Sequence, residues 1–491
     1  MNEKESRRII LMLNFLLRNK FSLFCFCVFS LIYLWSYAII PFHDHDSVIY
    51  ALRGKMIMEG VGLEFLPFDH KPLGINFIYG IFGQFIQYGH GQSLIISIFF
   101  NAMMITISYY LLDSLTEKNE TGGKSILIPL VIFLIVFQSP FVGLSGNSET
   151  LANFFILLSL FMLFRASEKE IMLPVLFSSF FAITSLSINF LSAVILSLPT
   201  LYLIMQFKER RVRAFFIYSF GILLSLTAFM FLVINSGDAK SYLDDLISFF
   251  QIYGDRTQEE RMKSFLYFFR GLVIFIPILI SSIFILNKIS KKLSVLVYAL
   301  LLWSITAFLA CLISGNDLVH YLSFLVAPLI ILSTIVFINI NIQQRSLVFF
   351  VPLFYCMTFM ATEIFDNYRK YKIFEMVAPN MDKISEIIKE DKLVSIRIGH
   401  VPFYLAEIQP TQKYPFPEYA TFFEGSKEDL YWNKSLDDYN FAIVPKELCL
   451  TNELPLTCKS LINSFEIIFE SNDLELYGPS FVDSFFLYKK N

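Results

Sequence analysis

Charge is what this chain has least of. Only 16% of its 491 residues are charged while 55% are apolar, against roughly 25% charged in a soluble domain. That deficit excludes an ordinary water-soluble surface. An excess of basic residues is missing too: the formal net charge is −3, which leaves no basic face for nucleic acid. No segment repeats along the chain, so the internal symmetry common in transporters, with buried charges at mid-membrane, has no counterpart. Lys and Arg are absent from the short loops 142–148, 185–189 and 314–319. What the chain has in abundance is 56 Phe and 24 Tyr, a surplus suited to lipid-facing and headgroup-level surfaces.

Long apolar runs supply the rest. A membrane helix needs about 20 mostly apolar residues, and the sequence predicts eleven spans: 21–41, 91–112, 125–142, 149–164, 171–187, 189–206, 214–235, 266–286, 293–313, 320–340 and 346–363. The run 171–206 is uncharged and too long for one crossing, and Ser185, Ser187 and Asn189 mark a hairpin that divides it. The first run is as long as a true span, so no cleavable signal is evident. Alternate loops carry the basic residues, from Arg7, Arg8, Arg18 and Lys20 through Lys208, Arg210, Arg211 and Arg213 to Lys288, Lys291, Lys292 and Arg345. By the positive-inside rule the N-terminus is cytoplasmic, and an odd number of spans puts the C-terminal part outside. The expected architecture is a polytopic α-helical protein of the inner (plasma) membrane. Residues 1–365 form its transmembrane domain and 366–491 an extracytoplasmic α/β domain.

The polar chemistry gathers on the predicted outer side. A long first outer loop, 42–90, begins His43-Asp44-His45-Asp46-Ser47 and continues through Asp69-His70-Lys71-Pro72. Residues 47–59 and 72–89 within it read as interfacial helices; the second is short and interrupted by Gly74, Gly80 and Gly83. Glu149 and His320 open two later spans on the same face. Ionisable groups at membrane level are costly, so a cluster of them points to function. Each has a plainer explanation. Asp69 would cap the following helix, Glu149 would answer a helix dipole, and Lys71 would extend to the headgroups. His43-x-His45 with neighbouring Asp offers ligands to a divalent metal, although no second ligand cluster supports a site.

The C-terminal part differs in kind. Residues 381–391 read as an amphipathic helix, and Leu393–Ile398, Phe441–Val444 and Ile467–Phe469 as short strands. It contains no Gly-rich phosphate loop. Cys449 and Cys458 lie nine residues apart, a spacing open to a disulfide if the compartment is oxidising and equally to two separate thiols. The outer loop 236–265, with Asp244, Asp245, Asp255 and Arg256, either borders the same cavity or is a solvated amphipathic loop.

Four stretches carry a resemblance: Asp46-Ser47-Val48-Ile49-Tyr50 leading to Gly60; Asp69-His70-Lys71-Pro72-Leu73; Ser148-Glu149-Thr150; and His320-Tyr321 with Pro328. In order and in placement they resemble the GT-C superfamily of membrane glycosyltransferases, and especially bacterial relatives of protein O-mannosyltransferases and aminoarabinose transferases. Tyr404-Leu405-Ala406 and Pro410–Pro415 add a weaker likeness. Two positions depart from the pattern: Asn189 stands where some relatives carry Lys, and Leu73 replaces a second proline.

The resemblance implies a sugar donor on a polyprenyl phosphate and a lipid, glycan or protein acceptor, with membrane lipids around both and no cofactor. It implies Asp46 as the catalytic carboxylate, with Asp44 second. Lys71 would be the cation for the lipid phosphate, assisted by His70, His320 and Tyr321. Asp69 and Glu149 would hold sugar hydroxyls or orient Lys71. The competing classes are a transporter or lipid flippase, a polysaccharide polymerase or ligase, and a non-catalytic scaffold.

Overall fold

The structure is a computed structural model that describes residues 27–40, 45–86, 91–115, 122–141, 144–253, 257–314, 319–388, 392–396, 401–410, 436–449, 456–470 and 485–490. The helices of the first half are α1 (Cys27–Ala38), α2 (His45–Met58), α3 (Leu73–Gly83), α4 (Gln92–Asp113), α5 (Gly122–Gln138), α6 (Ser148–Lys169), α7 (Leu173–Ile188) and α8 (Ser192–Met205). There follow α9 (Arg211–Asn235), α10 (Ala239–Tyr253), α11 (Gln258–Val273), α12 (Ile276–Phe284), α13 (Lys291–Ser314), α14 (Val326–Asn339) and α15 (Ile342–Ile388).

Each expected span overlaps, among the described residues, an apolar helix or, over 266–286, a bent pair of helices. Among the described residues, six helices are long and apolar enough to cross a membrane, or seven if one bent pair is a single span. That pair is α11 and α12. They meet at 59° rather than forming the straight span expected over 266–286, and Pro277 in the first turn of α12 accounts for the break, since it has no N–H to continue the ladder. The expected spans on α1, α5, α7 and α8 fall on apolar helices of 10–17 residues.

Burial separates an inner group of helices from an outer one. The window containing α14 is 89% buried and that of α9 only 11%. The outward residues of α9 include Phe215, Phe216, Phe220, Leu223 and Phe231, an apolar band that suits lipid rather than water. The first and last spanning helices are tied by polar contacts. Tyr33 and Tyr37 donate to the Glu363 carboxylate at 2.6 and 3.0 Å, and Asn367 Nδ2 donates to Ser36 Oγ at 3.2 Å.

Both segments expected as interfacial helices are helices, and both pack against other helices. α2 is buried over most of its circumference. α3 has 11 residues, about 16 Å of rise and too short for a core of about 30 Å. It is wedged against α2, α4 and α7. Two of the glycines that looked like interruptions, Gly74 and Gly80, are points of close approach. A Cβ on Gly54 of α2 would lie 2.6 Å from the backbone N of Gly80, and one on Gly74 would lie 2.4 Å from the Ser187 carbonyl at the end of α7.

The last span runs without interruption from Ile342 to Ile388 through Pro352 and Pro379, so the helix expected at 381–391 is its extension. Beyond it β1 (Leu393–Ser395), β2 (Phe441–Pro445), β3 (Phe465–Glu470) and β4 (Phe485–Lys490) form one sheet in the order β1-β2-β4-β3, with β1 and β2 parallel and the other pairs antiparallel. The strand β4 was not expected. The period of two along β2 divides its side chains: Phe441 and Ile443 join the main core with the spanning helices, while Ala442 and Val444 join a smaller core with Leu461, Phe465 and the disulfide Cys449–Cys458. The short helix α16 (Val401–Leu405) packs on α2, bringing the C-terminal part against that helix.

Candidate functional site

The site is built where α2, the loop 66–72, the start of α6, the α7–α8 hairpin and the 3₁₀ turn Val319–Leu325 converge. On α2, Asp46, Tyr50 and Arg53 follow at helical spacing and share a face. Tyr50 Oη donates to Asp46 Oδ2 at 3.4 Å. Arg53 is fully buried, and its Nη1 donates to the carbonyls of Pro67 (3.1 Å) and Asp69 (3.4 Å). The guanidinium thereby fixes the extended loop against α2.

Within that loop, Asp69 turns its carboxylate back on its own backbone. Oδ1 accepts the Lys71 N–H at 3.2 Å and lies 3.6 Å from His70 Nδ1. The capping explanation for Asp69 fails, because the residue preceding α3 is Pro72 and no side chain caps that end. His70 stacks on Phe249 of α10 with ring centroids 5.0 Å apart, and Tyr242 Oη donates to the Lys71 carbonyl at 3.5 Å. The segment 236–265, expected as a loop, is helical over α10 and the start of α11, and it borders the site through Tyr242 and Phe249. Asp255 and Arg256 lie outside the described residues.

Lys71 crosses to α6. Its Nζ lies 3.0 Å from Glu149 Oε1, with both side chains buried, and 5.0 Å above the Tyr321 ring. The same Glu149 oxygen accepts Asn189 Nδ2 at 2.8 Å. Asn189 completes the α7–α8 hairpin with its other atom, Oδ1, which accepts the Leu191 N–H at 3.0 Å. Glu149 is thus a specific partner as well as a first-turn acid. His320 meets Tyr321 edge to face at 4.8 Å, and Asn153 Nδ2 holds the Ser323 carbonyl at 2.7 Å.

The electrostatics follow from burial and pairing. Burial works to lower the Lys71 pKa, but Glu149, Tyr321 and Asp46 outweigh it and hold the ammonium above the ordinary lysine range. For His70, burial leads, and Lys71, His320 and Arg53 add to it, so its pKa is well below the usual imidazole value. His70 is therefore a neutral imidazole rather than a second cation. Burial raises the Asp69 pKa against the opposing pull of Arg53 and Lys71.

The structure brings together Asp46, Asp69, His70, Lys71, Glu149, His320 and Tyr321. Asp44 lies outside the described residues, as do His43 and the side chain of His45, so the suggested metal pair is not placed. Among the described residues no three His, Cys, Asp or Glu side chains are grouped to hold a metal. Sequence reasoning missed Arg53, whose signal was a lone arginine one helical face along from Asp46. It also missed Tyr242 and Phe249, which only tertiary packing delivers.

No family model matches the chain, and no curated protein matches it in sequence. Solved structures do match. The crystal structure of ArnT from Cupriavidus metallidurans bound to undecaprenyl phosphate is similar with a TM-score of 0.61 at 10% identity, covering 96% of this chain and 98% of that one. The apo state of the same protein gives 0.62 at 11% identity with the same coverage. The likeness covers nearly the full length of both chains and shows the fold: an ArnT-like architecture of apolar helices with a small C-terminal sheet.

Proposed function

We propose that this protein is a glycosyltransferase that moves a sugar from a polyprenyl-phosphate donor to a hydroxyl of a lipid, glycan or protein acceptor on the outer face of the membrane. The observation that carries the reading is the buried Lys71–Glu149 pair, set over Tyr321 and within electrostatic reach of Asp46. The Asp46 carboxylate and the Lys71 ammonium, the latter held by Glu149, are the two groups that transfer from a lipid phosphate requires. The undecaprenyl phosphate bound by a structural neighbour supports the donor class. The alternation of basic loops and the Cys449–Cys458 disulfide support the outer face, where nucleotide sugars are absent and a donor must travel on a lipid.

In this reaction the bond between the anomeric carbon and the phosphate oxygen breaks, and its electron pair stays with the departing phosphate. Lys71 meets that growing charge. The acceptor oxygen forms its new bond to the anomeric carbon from the opposite side and passes its proton to Asp46, the general base. Glu149 keeps Lys71 charged and aimed before the donor arrives, Asn189 holds Glu149, and Arg53 fixes the loop that carries Asp69, His70 and Lys71.

Chemical analysis of surface glycans and membrane lipids from cells with and without the protein tests the reading. Loss of one sugar from a surface component, with accumulation of a polyprenyl-phosphate-linked sugar, is the expected result. Identical profiles in both cells would sink it.

A further inference from the structure

Around Glu149 the buried polar atoms outnumber their partners. Both carboxamide atoms of Asn76 and of Asn147 lack a hydrogen bond, as do Asn153 Oδ1 and Glu149 Oε2. All four residues are at most 2% exposed. Native interiors leave few such groups unsatisfied, and a concentration of them calls for a partner.

They lie in neighbouring parts of the fold. Asn147 immediately precedes α6, and Glu149 and Asn153 stand four residues apart on one face of it. That face is pinned to the turn carrying Tyr321 by the bond from Asn153 to Ser323. Asn76 is on α3, three residues before Tyr79, whose hydroxyl donates to the Gly146 carbonyl at 2.9 Å. The α3 face that bears Asn76 therefore meets the segment that bears Asn147. The other oxygen of Glu149 holds Lys71.

Each carboxamide offers donors and an acceptor without charge, the same pattern that sugar hydroxyls present. The cations nearby are committed, Lys71 to Glu149 and, in the proposed reaction, to the donor's phosphate, and Arg53 to the carbonyls of Pro67 and Asp69. A carboxylate entering here would lose its hydration, face Glu149 and find no further counter-ion among the described residues.

We infer that Asn76, Asn147 and Asn153, together with Glu149 Oε2, form the subsite for the donor's sugar ring, and that this ring bears hydroxyls and no carboxylate. The inference rests on the proposed donor class and adds the kind of sugar and the residues that read it.

The test uses the full-length protein in lipid nanodiscs and measures binding of three kinds of probe. These are undecaprenyl phosphate alone, the same lipid carrying each of a set of neutral pentoses and hexoses, and the same lipid carrying a hexuronic acid. At least one neutral sugar should bind more tightly than the bare lipid phosphate, and the hexuronic acid should not. Asn76→Ser and Asn147→Ser should each weaken the preferred neutral probe by roughly three- to tenfold and leave the bare lipid phosphate unchanged. That unchanged affinity also reports that the variants are folded. Lys71→Met should weaken every probe.

If no sugar improves on the bare lipid phosphate, or if the serine variants bind the preferred probe as the parent does, the amides are satisfied by internal water. The subsite then falls while the proposed donor class stands. If the uronic probe binds best, the class of sugar is wrong. If none of the probes binds, both the subsite and the donor class fall.

Discussion

Replacing Glu149 by Gln keeps the size and one acceptor of the side chain but removes the charge that Lys71 faces at 3.0 Å. Lys71 would remain buried, and burial is the largest influence on it, acting to lower its pKa. Breaking a buried ion pair by removing one partner costs about 3–5 kcal/mol. At 1.36 kcal/mol per pH unit, that corresponds to a fall of roughly two to four units in the lysine pKa. The sign matters. The cationic form binds the phosphate, so binding is complete below the lysine pKa and is lost as pH rises through it. In the parent protein that pKa is raised above the ordinary lysine range, and binding of undecaprenyl phosphate should be flat from about pH 8 to 11, above the second ionisation of the phosphate near pH 6. In Glu149→Gln the pKa returns toward the ordinary lysine range, about 10.4, so binding should fall with rising pH above about pH 10, approaching tenfold per unit. Melting of the purified variants supplies an independent readout. Lys71→Met with Glu149→Gln leaves no buried charge unpaired, so the double variant should melt above Glu149→Gln alone. Flat binding in Glu149→Gln, together with additive melting losses in the double variant, would refute the coupling argued here.

Asp46→Asn should lower transfer by about 10²–10⁴-fold while leaving donor binding intact; near-normal transfer measured with a purified donor would remove Asp46 from the role of base, and an inactive Asp44→Asn would then move it there. Cys449 and Cys458 should resist maleimide labelling until a reductant is added, because they are bonded to each other; labelling without reductant would contradict the pairing. A reporter fused after residue 370 should report the outer side, and a cytoplasmic signal would place Asp46 and Lys71 on the wrong face. Cysteines introduced at Gly60 and Gly91, which flank α3, should be labelled from the same side; opposite accessibility would make α3 part of a crossing.

Several features of the site were legible because they are local or depend on spacing along one element. Asp46 stands one turn before Tyr50, and Lys71 follows Asp69-His70, so both announced themselves as polar groups at the edge of apolar runs. The hairpin at Asn189 was visible because an uncharged run of that length cannot be one span. The partner of Lys71 was legible only as a choice. The resemblance offered both Asp69 and Glu149 to orient it, and Glu149, 78 residues away, is selected by packing. Arg53 and Tyr242 escaped for the same reason, since their partners are carbonyls on a loop that has no regular structure. The amides Asn76, Asn147 and Asn153 are ordinary residues in sequence, and only their enclosure distinguishes them.

The sequence by itself determined that the chain crosses a membrane and where its helices run, because lipid demands long uncharged segments and satisfies nothing polar within them. It also placed the ionisable residues on one predicted face and the first three strands in the C-terminal part, through periods of apolar and polar residues that are properties of each segment alone. The tertiary structure decided which of those polar groups meet. It packed α2 and α3 against other helices, since Gly54, Gly74 and Gly80 let backbones approach closely. It bent the span at Pro277, extended the last helix to Ile388, and laid one side of the sheet on the spanning helices. It also gave Lys71 to Glu149 and left the neighbouring amides without partners. Those outcomes depend on contacts between segments far apart in the chain, which no single segment encodes.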